Sequence, residues 1–260
     1  MLGGPLDLTR ARILLSNDDG IAAPGLKTLE QVMRRLSRDV WVVAPEREQS
    51  GAGHSLTLHD PVRIRKLGPK RFAVDGTPTD CVLLGIRRIM QDRPPALLVS
   101  GINRGGNMGE DVTYSGTVAA AMEGTLLGIP SIAVSLAVMN GAAPVWETAA
   151  KMTEAVVRQL VTVAWPAYTL MNVNIPNIPA GEVAGIRAAA QGQRQLGDNL
   201  IEATDPRGRR FYWIGPVRTE EVAEEGTDIV AVAQGAVAVT PIHLDLTHRA
   251  GLAALRSVFP

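Results

Sequence analysis

Short apolar runs alternate with longer amphipathic stretches over the first two thirds of the chain. Runs of three to five mostly apolar residues without regular polar alternation are typical of strands buried on both faces, as in a parallel sheet. The runs predicted as strands are Ile13–Leu15, Val40–Val43, Ala96–Val99, Ile132–Leu136 and Thr169–Val173.

The stretches between these runs carry apolar residues at helical spacing. In Leu26–Leu36, for example, the apolar positions repeat every three or four residues, which places them on one face of a helix. Strands that alternate with helices form βαβ units, so the pattern predicts an α/β protein with a doubly wound, mostly parallel sheet. The other predicted helices run from about Pro78 to Met90, Ser115 to Leu127 and Pro144 to Val163.

Two regions depart from this rhythm. The first, residues 55–74, contains short strand patterns separated by turn signals, and we predict that this excursion lies outside the main sheet. The second, Leu200–Val217, is polar and turn-rich, with the aromatic cluster Phe211–Trp213 standing alone. It is either an arm that packs on another subunit or a flexible surface hairpin. The excursion strands are Ser55–Leu58, Val62–Lys66 and Arg71–Val74, and a strand at Gly235–Ile242 and a helix at His248–Ser257 follow the arm.

Composition narrows the classes of function. Lysine plus arginine and aspartate plus glutamate both number 26, so the chain lacks the basic excess that binding to nucleic acid polymers depends on. Cys81 is the only cysteine, which excludes an intramolecular disulfide and a cysteine-rich zinc site. Met1–Ala11 has no apolar core of a signal peptide, and no stretch approaches about 20 apolar residues. We therefore expect a cytoplasmic protein that does not bind membranes.

The first strand ends in the most informative segment, Ser16-Asn-Asp-Asp-Gly20. It places the adjacent carboxylates of Asp18 and Asp19 at the carboxyl end of a strand, which is the edge where open α/β sheets bind ligands. Two neighbouring carboxylates repel each other unless a cation neutralises them, and Gly20 permits a turn that lets both converge. The alternative is an ordinary polar turn before a helix, and the segment alone leaves both open.

Loops that follow two further strands bring more oxygen ligands to the same edge. These are Ser50, after the second strand, and Asn103 and Asn107, after the third. Hard oxygen ligands favour Mg²⁺, Mn²⁺ or Ca²⁺, whereas zinc prefers histidine and cysteine. With two charged ligands and neutral partners, the ion would keep open positions for water or substrate.

Tyr114-Ser-Gly-Thr117 opens an apolar helix. Ser115 and Thr117 are capping residues, Gly116 lets a ligand approach the backbone, and the exposed N–H groups of a helix start bind anions such as phosphate. A segment of this kind alone is more often just a cap. Next to the sheet edge that carries the candidate metal ligands, however, such an anion site suits transfer of a phosphoryl group to water.

These blocks together resemble the SurE family of survival-protein nucleotidases. They are Ile13–Gly20, Val43–Pro45 with Ser50-Gly51, Gly76–Cys81, Ser100–Asn103, Asn107–Gly109 and Tyr114–Gly124, in this order within residues 12–136. The resemblance implies a metal-dependent phosphatase that hydrolyses nucleoside 5′- and 3′-monophosphates, with short polyphosphate as a further candidate substrate. It also implies a Rossmann-like, three-layer αβα fold and a homodimer or homotetramer built partly by exchanged C-terminal arms.

The resemblance also implies roles for individual residues. One divalent cation per subunit, Mg²⁺ or Mn²⁺, would be held by Asp18, Asp19, Ser50 and Asn103, and Asp19 would also act as base or nucleophile. Phosphate would be held by Asn107, Ser115, Gly116 and Thr117. We expect a single domain over residues 1–260, with the site in 11–140, a C-terminal part in 141–260 and the arm at about 200–227, where the family pattern cannot be aligned residue by residue.

Three other residues are weaker candidates, each with a plainer alternative. His54 could protonate the leaving group or be a surface residue, and Arg104 could contact phosphate or be solvated. Glu123, in an apolar helix, could be a buried partner for one of these groups. Rival functions are a non-catalytic nucleotide-binding or phosphate-binding module, a phosphotransferase with an alcohol acceptor, and an aspartyl-phosphate phosphatase, although the last class uses a D-x-D spacing.

Overall fold

A nine-stranded sheet with helices on both faces forms the body of the protein. The structure is a computed structural model, and it describes residues 4–139, 141–195, 200–214, 220–222 and 224–259. The strands are β1 (Arg12–Ser16), β2 (Asp39–Pro45), β3 (Ile64–Gly68), β4 (Arg71–Val74), β5 (Leu97–Arg104), β6 (Ser131–Ala137), β7 (Thr169–Pro176), β8 (Ile186–Ala188), β9 (Gln193–Gln195), β10 (Leu200–Thr204), β11 (Arg210–Ile214), β12 (Glu220–Val222) and β13 (Val237–His243). The helices are α1 (Pro24–Leu36), α2 (Pro78–Leu84, continued by a π-helical turn at Gly85–Ile89), α3 (Asp111–Tyr114), α4 (Gly116–Leu126), α5 (Trp146–Leu160), α6 (Asp228–Ala233) and α7 (Arg249–Leu255), with a 3₁₀ turn at Ala180–Glu182.

The strand order is β3-β4-β2-β1-β5-β6-β7-β13-β8. The six strands from β4 to β7 in this order are parallel, whereas β3 and β13 pair antiparallel with their neighbours β4 and β7. The α/β class and the mostly parallel sheet are thus as predicted. The prediction fails for β3 and β4, which belong to this sheet rather than lying outside it. Because the chain leaves β1 to one side for β2 and returns to the other side for β5, the gap between β1 and β5 is the topological switch point, where such sheets bind ligands.

The sheet buries apolar side chains on both faces, as its unbroken apolar runs predict. In β1, Ile13 and Leu15 join the cluster under α1 and α5, whereas Leu14 joins the cluster under α2 and α4. This division follows from the alternation of side chains along a strand, in which successive residues point to opposite faces. All three side chains are completely buried. Two helix layers therefore hold β1, and with it the turn that follows, from both sides.

The start of α2 is also as its sequence predicts. Thr77 and Asp80 form a reciprocal capping box, with Pro78 in the first turn. The prediction of a strand at Ser55–Leu58 is wrong, however, because side chains rather than a neighbouring strand satisfy this backbone. The Asp80 carboxylate accepts the backbone N–H of Thr57 at 3.1 Å, and the Thr77 hydroxyl donates to the Ser55 carbonyl at 2.7 Å. The segment is thereby tied across the start of α2.

The C-terminal region contains the predicted hairpin, formed by β10 and β11 as a separate two-stranded sheet. Part of the expected arm, residues 215–219 and 223, lies outside the described residues. In the part of the chain that the structure describes, no helix is long and apolar enough to cross a membrane.

Candidate metal and phosphate site

The turn after β1 is fixed in place by the loop that follows β2. The backbone N–H of Gln49 donates to the Asp18 carbonyl at 2.8 Å, and the Asn17 side chain donates to the Gly20 carbonyl at 3.0 Å. Gly20 has φ +95°, and a Cβ there would lie 3.1 Å from the Arg47 carbonyl carbon. Glycine is therefore required at this turn, both for its backbone conformation and for the close approach of the second loop.

Asp18 lies against the start of α4. Its carboxylate accepts a short hydrogen bond from the Thr117 hydroxyl, and only 5% of the residue is exposed. A Cβ on Gly116 would lie 2.7 Å from the Asp18 Cβ. The glycine of the Ser-Gly-Thr segment thus lets the helix start reach the carboxylate, which brings the predicted metal ligand and the predicted phosphate cradle together.

Asp19 faces the other side of the turn, toward Arg104. Burial, and then the charges of Asp18 and Glu48, raise its pKa to about 6, although the neighbouring backbone and guanidinium of Arg104 act in the opposite direction. Burial likewise raises the pKa of Asp18, against the stabilising effect of Thr117. Arg104 thus offsets only part of the effect of burial and of the neighbouring acids on Asp19, and an added cation would stabilise the two carboxylates further.

Asn103 reaches the same edge from the end of β5. The pairing of β5 with β6 shifts register between Ser100 and Asn103, and Gly101 makes this possible, because a Cβ there would lie 2.2 Å from the Val134 carbonyl oxygen. The Asn103 side-chain amide donates to the Gly105 carbonyl at 2.9 Å. This bond occupies the side-chain nitrogen of Asn103, so the side-chain oxygen is the atom that could bind a metal ion.

Ser50 is exposed, and its hydroxyl donates to the Glu48 carboxylate at 2.8 Å. Sequence reasoning did not single out Glu48, although its charge acts on both Asp18 and Asp19. The signal was present as an acidic residue in the loop of Ser50, but charged loop residues are usually only solvated.

The donors present fit a hard divalent cation. Nowhere in the described ranges do three or more histidine, cysteine, aspartate or glutamate side chains gather as a metal cluster, so an ion here would rest on two carboxylates and neutral oxygens. Behind them, the Asn17 side-chain oxygen and the Ser16 and Ser100 hydroxyls are buried and find no hydrogen-bond partner among the described residues. Oxygen-only ligands with open positions suit Mg²⁺ or Mn²⁺ better than zinc.

At the start of α4, the backbone offers a donor to an anion. The Ser115 hydroxyl accepts the Val118 N–H at 3.1 Å, as predicted for a cap, and the Thr117 hydroxyl donates to the Asp18 carboxylate. Both hydroxyls are thus engaged. The backbone N–H of Thr117 also acts on the Asp18 carboxylate. Since the first N–H groups of a helix have no intrahelical acceptor, the donor left for a phosphate oxygen is the backbone N–H of Gly116.

Asn107 is held from a strand that sequence reasoning did not connect with the site. Its N–H donates to the Asn174 side chain at 2.8 Å, and its carbonyl accepts from the side chains of Asn172 at 2.8 Å and Asn174 at 3.0 Å. Its own amide donates to the Ser135 hydroxyl at 2.8 Å. The loop is rigid, but the role of Asn107 in binding phosphate stays a prediction. Two asparagines within an apolar strand were the signal for this contact.

The loop that carries Ser50 is joined to α4 at two points. The Gly53 N–H donates to the Tyr114 carbonyl at 3.2 Å, and His54 Nε2 lies 3.0 Å from the Glu123 carboxylate. Glu123 is buried, as expected, and its partner is His54. The contact lies two helical turns beyond the start of α4, so it fixes the loop and does not by itself support His54 as an acid.

Comparison with known proteins places these features in a family. The family model described as Survival protein SurE matches residues 13–198. Proteins named 5′-nucleotidase SurE from Paramagnetospirillum magneticum and Rhodospirillum rubrum are 53% and 54% identical to this chain, and each alignment covers 97% of it and 97% and 98% of the relative. The crystal structure of the SurE protein from Aquifex aeolicus superposes with a TM-score of 0.83 at 44% identity, covering 95% of this chain and 99% of that one.

Proposed function

Since the chain belongs to the SurE family, we propose that it is a nucleotidase that hydrolyses nucleoside 5′-monophosphates to nucleoside and phosphate. The observation that carries this proposal is the contact between Asp18 and the glycine-opened start of α4, in a chain about half identical, over nearly its full length, to proteins named 5′-nucleotidase. We extend the proposal to 3′-monophosphates, whose phosphate presents the same oxygens, and keep short polyphosphate as a further candidate substrate.

One divalent cation per subunit, Mg²⁺ or Mn²⁺, would be held by Asp18, Asp19, Asn103 and Ser50. When bound, such an ion neutralises charge on a phosphate oxygen and orients water. Ser50 would bind the ion in place of its present hydrogen bond to Glu48. The adjacent carboxylates of the buried Asp18 and the half-buried Asp19 support the proposal, because burial raises both pKa values and Arg104 offsets this only partly at Asp19.

The protein's own groups would act around the phosphorus. The backbone N–H of Gly116 holds a phosphate oxygen, and Thr117 keeps Asp18 in place through its hydroxyl and backbone N–H. Asp19 accepts a proton from the attacking water as the water oxygen bonds to phosphorus. The ester bond then breaks, the leaving oxygen of the nucleoside takes a proton from solvent water and departs as an alcohol, and Asp19 releases to solvent the proton that it accepted.

We also propose that residues 1–260 act as one domain in a cytoplasmic homodimer or homotetramer, assembled partly through the β10–β11 hairpin. The hairpin supports this because it is separate from the main sheet and exposes large apolar side chains on both strands. Apolar surface of this kind commonly marks a protein–protein contact. The exposed side chains are Leu200, Ile201, Phe211, Tyr212 and Trp213.

The direct test is phosphate release from nucleoside monophosphates with Mn²⁺, Mg²⁺ or EDTA, for the wild type and Asp18→Asn. We expect release that requires the metal and collapses in the variant. Asp7→Asn, the same change at an exposed residue near the amino end of β1, is the matched control and should retain activity. Absence of release from every monophosphate with either metal would overturn the proposal and favour a binding module.

A further inference from the structure

A cleft of about 640 Å³ opens beside the turn of Asp19. It lies between the first turn of α1, the end of β5 and the start of α5, and Asp19, Glu48 and Arg104 form the end nearest the candidate metal site. Trp146, the first residue of α5, lines it together with small residues of 141–144. A volume of this size lies within the range of about 300–1,000 Å³ typical of small-molecule sites.

The indole of Trp146 is held against the backbone of α1. A Cβ on Gly25 would lie 3.2 Å from the Trp146 ring and 1.9 Å from the Ile102 carbonyl oxygen. Glycine at this position therefore lets the edge of the Trp146 ring approach the backbone of α1. Trp146 also packs on the core cluster between the sheet and α1, and it remains half-buried. The cleft thus has a flat, fixed aromatic surface.

The wall next to Trp146 is preformed. The Asn177 side chain accepts the Val145 N–H at 2.8 Å and donates to the Ala143 carbonyl at 3.0 Å, with Pro144 between them. One asparagine therefore braces the turn that leads into α5. A ligand that enters the cleft meets a surface that needs little ordering, which lowers the entropic cost of binding.

The end of the cleft near the metal site is polar and only partly neutralised. Arg104 is exposed, and among the residues that the structure describes its guanidinium has no ion-pair or hydrogen-bond partner, while Glu48 accepts only the Ser50 hydroxyl. A guanidinium donates and a carboxylate accepts, so this pair matches neighbouring hydroxyl groups of a sugar. An aromatic surface beyond a hydroxyl-binding pair matches a nucleoside.

We propose that this cleft is the nucleoside subsite, with the base stacked on Trp146 and the ribose between Arg104 and Glu48. The inference rests on the proposed nucleotidase function, because it needs the phosphate at Asp18 and the start of α4. Stacking on one ring uses the π-face that every base has. The enzyme should therefore discriminate weakly among bases and strongly against substrates that lack a base.

The kinetic test compares adenosine 5′-monophosphate with ribose 5-phosphate, which has the same sugar and phosphate but no base. In Trp146→Ala, the ratio of kcat/KM for the nucleotide to that for ribose 5-phosphate should fall roughly tenfold, and Trp146→Phe should restore most of it. Trp41→Ala removes a half-buried indole at the amino end of β2 and should leave the ratio unchanged. An unchanged ratio in Trp146→Ala, or an equal fall in Trp41→Ala, would overturn the assignment.

Binding of adenosine tests the subsite without relying on catalysis. Adenosine should quench the tryptophan fluorescence of the wild type, of Trp41→Phe and of Trp213→Phe, and the quenching should be lost in Trp146→Phe. Loss in Trp213→Phe alone would overturn the proposal and place the base on the β10–β11 hairpin. If neither phosphate ester is hydrolysed but quenching still depends on Trp146, the nucleotidase function fails while the base site stands. Hydrolysis of both esters without dependence on Trp146 is the converse failure.

Discussion

Asp39 and Asp19 lie at opposite ends of the parallel strands and differ in how their charge is balanced. Asp39, at the start of β2, receives Lys70 at 2.7 Å, Arg12 at 3.0 Å, Arg93 at 2.5 Å and the Trp41 N–H at 2.8 Å. Partial burial works against its ionisation, but the hydrogen bonds from Lys70, Arg12 and Trp41 outweigh burial and hold the pKa of Asp39 well below its usual range. Asp19 has no comparable set of donors, and its pKa is raised to about 6.

The difference distinguishes a carboxylate that serves the fold from one that we propose serves the reaction. At the amino edge, the protein's own cations balance the charge of Asp39. At the carboxyl edge, Asp19 lies near the further acids Asp18 and Glu48, and Arg104 offsets their effect only in part, so the proposed metal ion would supply the remaining positive charge. Five experiments test this contrast between the two carboxylates.

Replacing Asp19 should have the largest effect, on activity alone. Asp19→Asn removes a charged ligand and the proton acceptor, and we expect kcat/KM to fall by at least about a hundredfold. Because one of two repelling carboxylates is gone, the free energy of unfolding without metal should stay level or rise. Steady-state kinetics and urea unfolding in EDTA measure the two quantities. A variant that lost activity because it had unfolded would contradict the functional role.

Asp39→Asn should give the opposite result. It leaves Arg12 and Lys70 with one charge fewer to pair with, so the free energy of unfolding should fall by about 2–4 kcal/mol. The activity of the folded fraction should not change. Asp92→Asn is the control, because Asp92 also pairs with Arg12 but is 67% exposed, and the change should lower the free energy of unfolding much less, since exposed ion pairs contribute little. Equal costs at the two positions would show that the network around Asp39 has no special weight.

The pH dependence of stability follows from the lowered pKa of Asp39. A carboxylate with a lower pKa in the folded than in the unfolded state stabilises the fold above the unfolded value, which is about 3.9. That stabilisation is lost as pH falls below about 4 toward the folded pKa. The wild type should therefore lose stability faster than Asp39→Asn on acidification, as unfolding curves between about pH 5 and pH 2.5 would measure. Parallel curves would refute the assignment.

Thr117→Val tests the link between α4 and Asp18. The change keeps the shape of the side chain but removes the hydroxyl that donates to the carboxylate. Loss of such an orienting partner typically weakens a metal site by about 10–100-fold. The metal concentration for half-maximal activity should rise accordingly, whereas Thr117→Ser should retain most of the wild-type affinity. If valine and serine behaved alike, the hydroxyl would have no orienting role.

Much of the fold follows from local pattern, because a short apolar run between turns suits only a strand buried on both faces. The pattern predicts β1, β2, β5, β6 and β7 and the gathering of their loops at one edge. It fails at Ser55–Leu58, where alternation looks like a strand but the backbone bonds to side chains of α2. A sequence pattern shows which residues are apolar. It does not show which distant group will form hydrogen bonds with the backbone.

The site divides in the same way. Asp18, Asp19 and Gly116 can be recognised in the sequence because their chemistry is local, and the structure places Gly116 against Asp18. The support of Asn107 by Asn172 and Asn174 spans 65 and 67 positions, and only the packing of β7 beside β6 creates it. The position of Trp146 in the cleft likewise depends on its contact with Gly25, which cannot be predicted from the spacing of residues in the chain.

Ser50→Ala should have the smallest effect, and it sharpens the contrast because Ser50 is neutral and exposed. Removing its hydroxyl frees Glu48 and deletes one uncharged ligand, so the metal requirement should rise only a few-fold. The free energy of unfolding should change by less than about 0.5 kcal/mol, as for other surface substitutions. Metal titration of phosphate release, with Ser55→Ala as the matched loop control, measures the shift. A loss as large as that of Asp19→Asn would mean that the carboxylates alone do not define the site and that the neutral ligand sets its geometry.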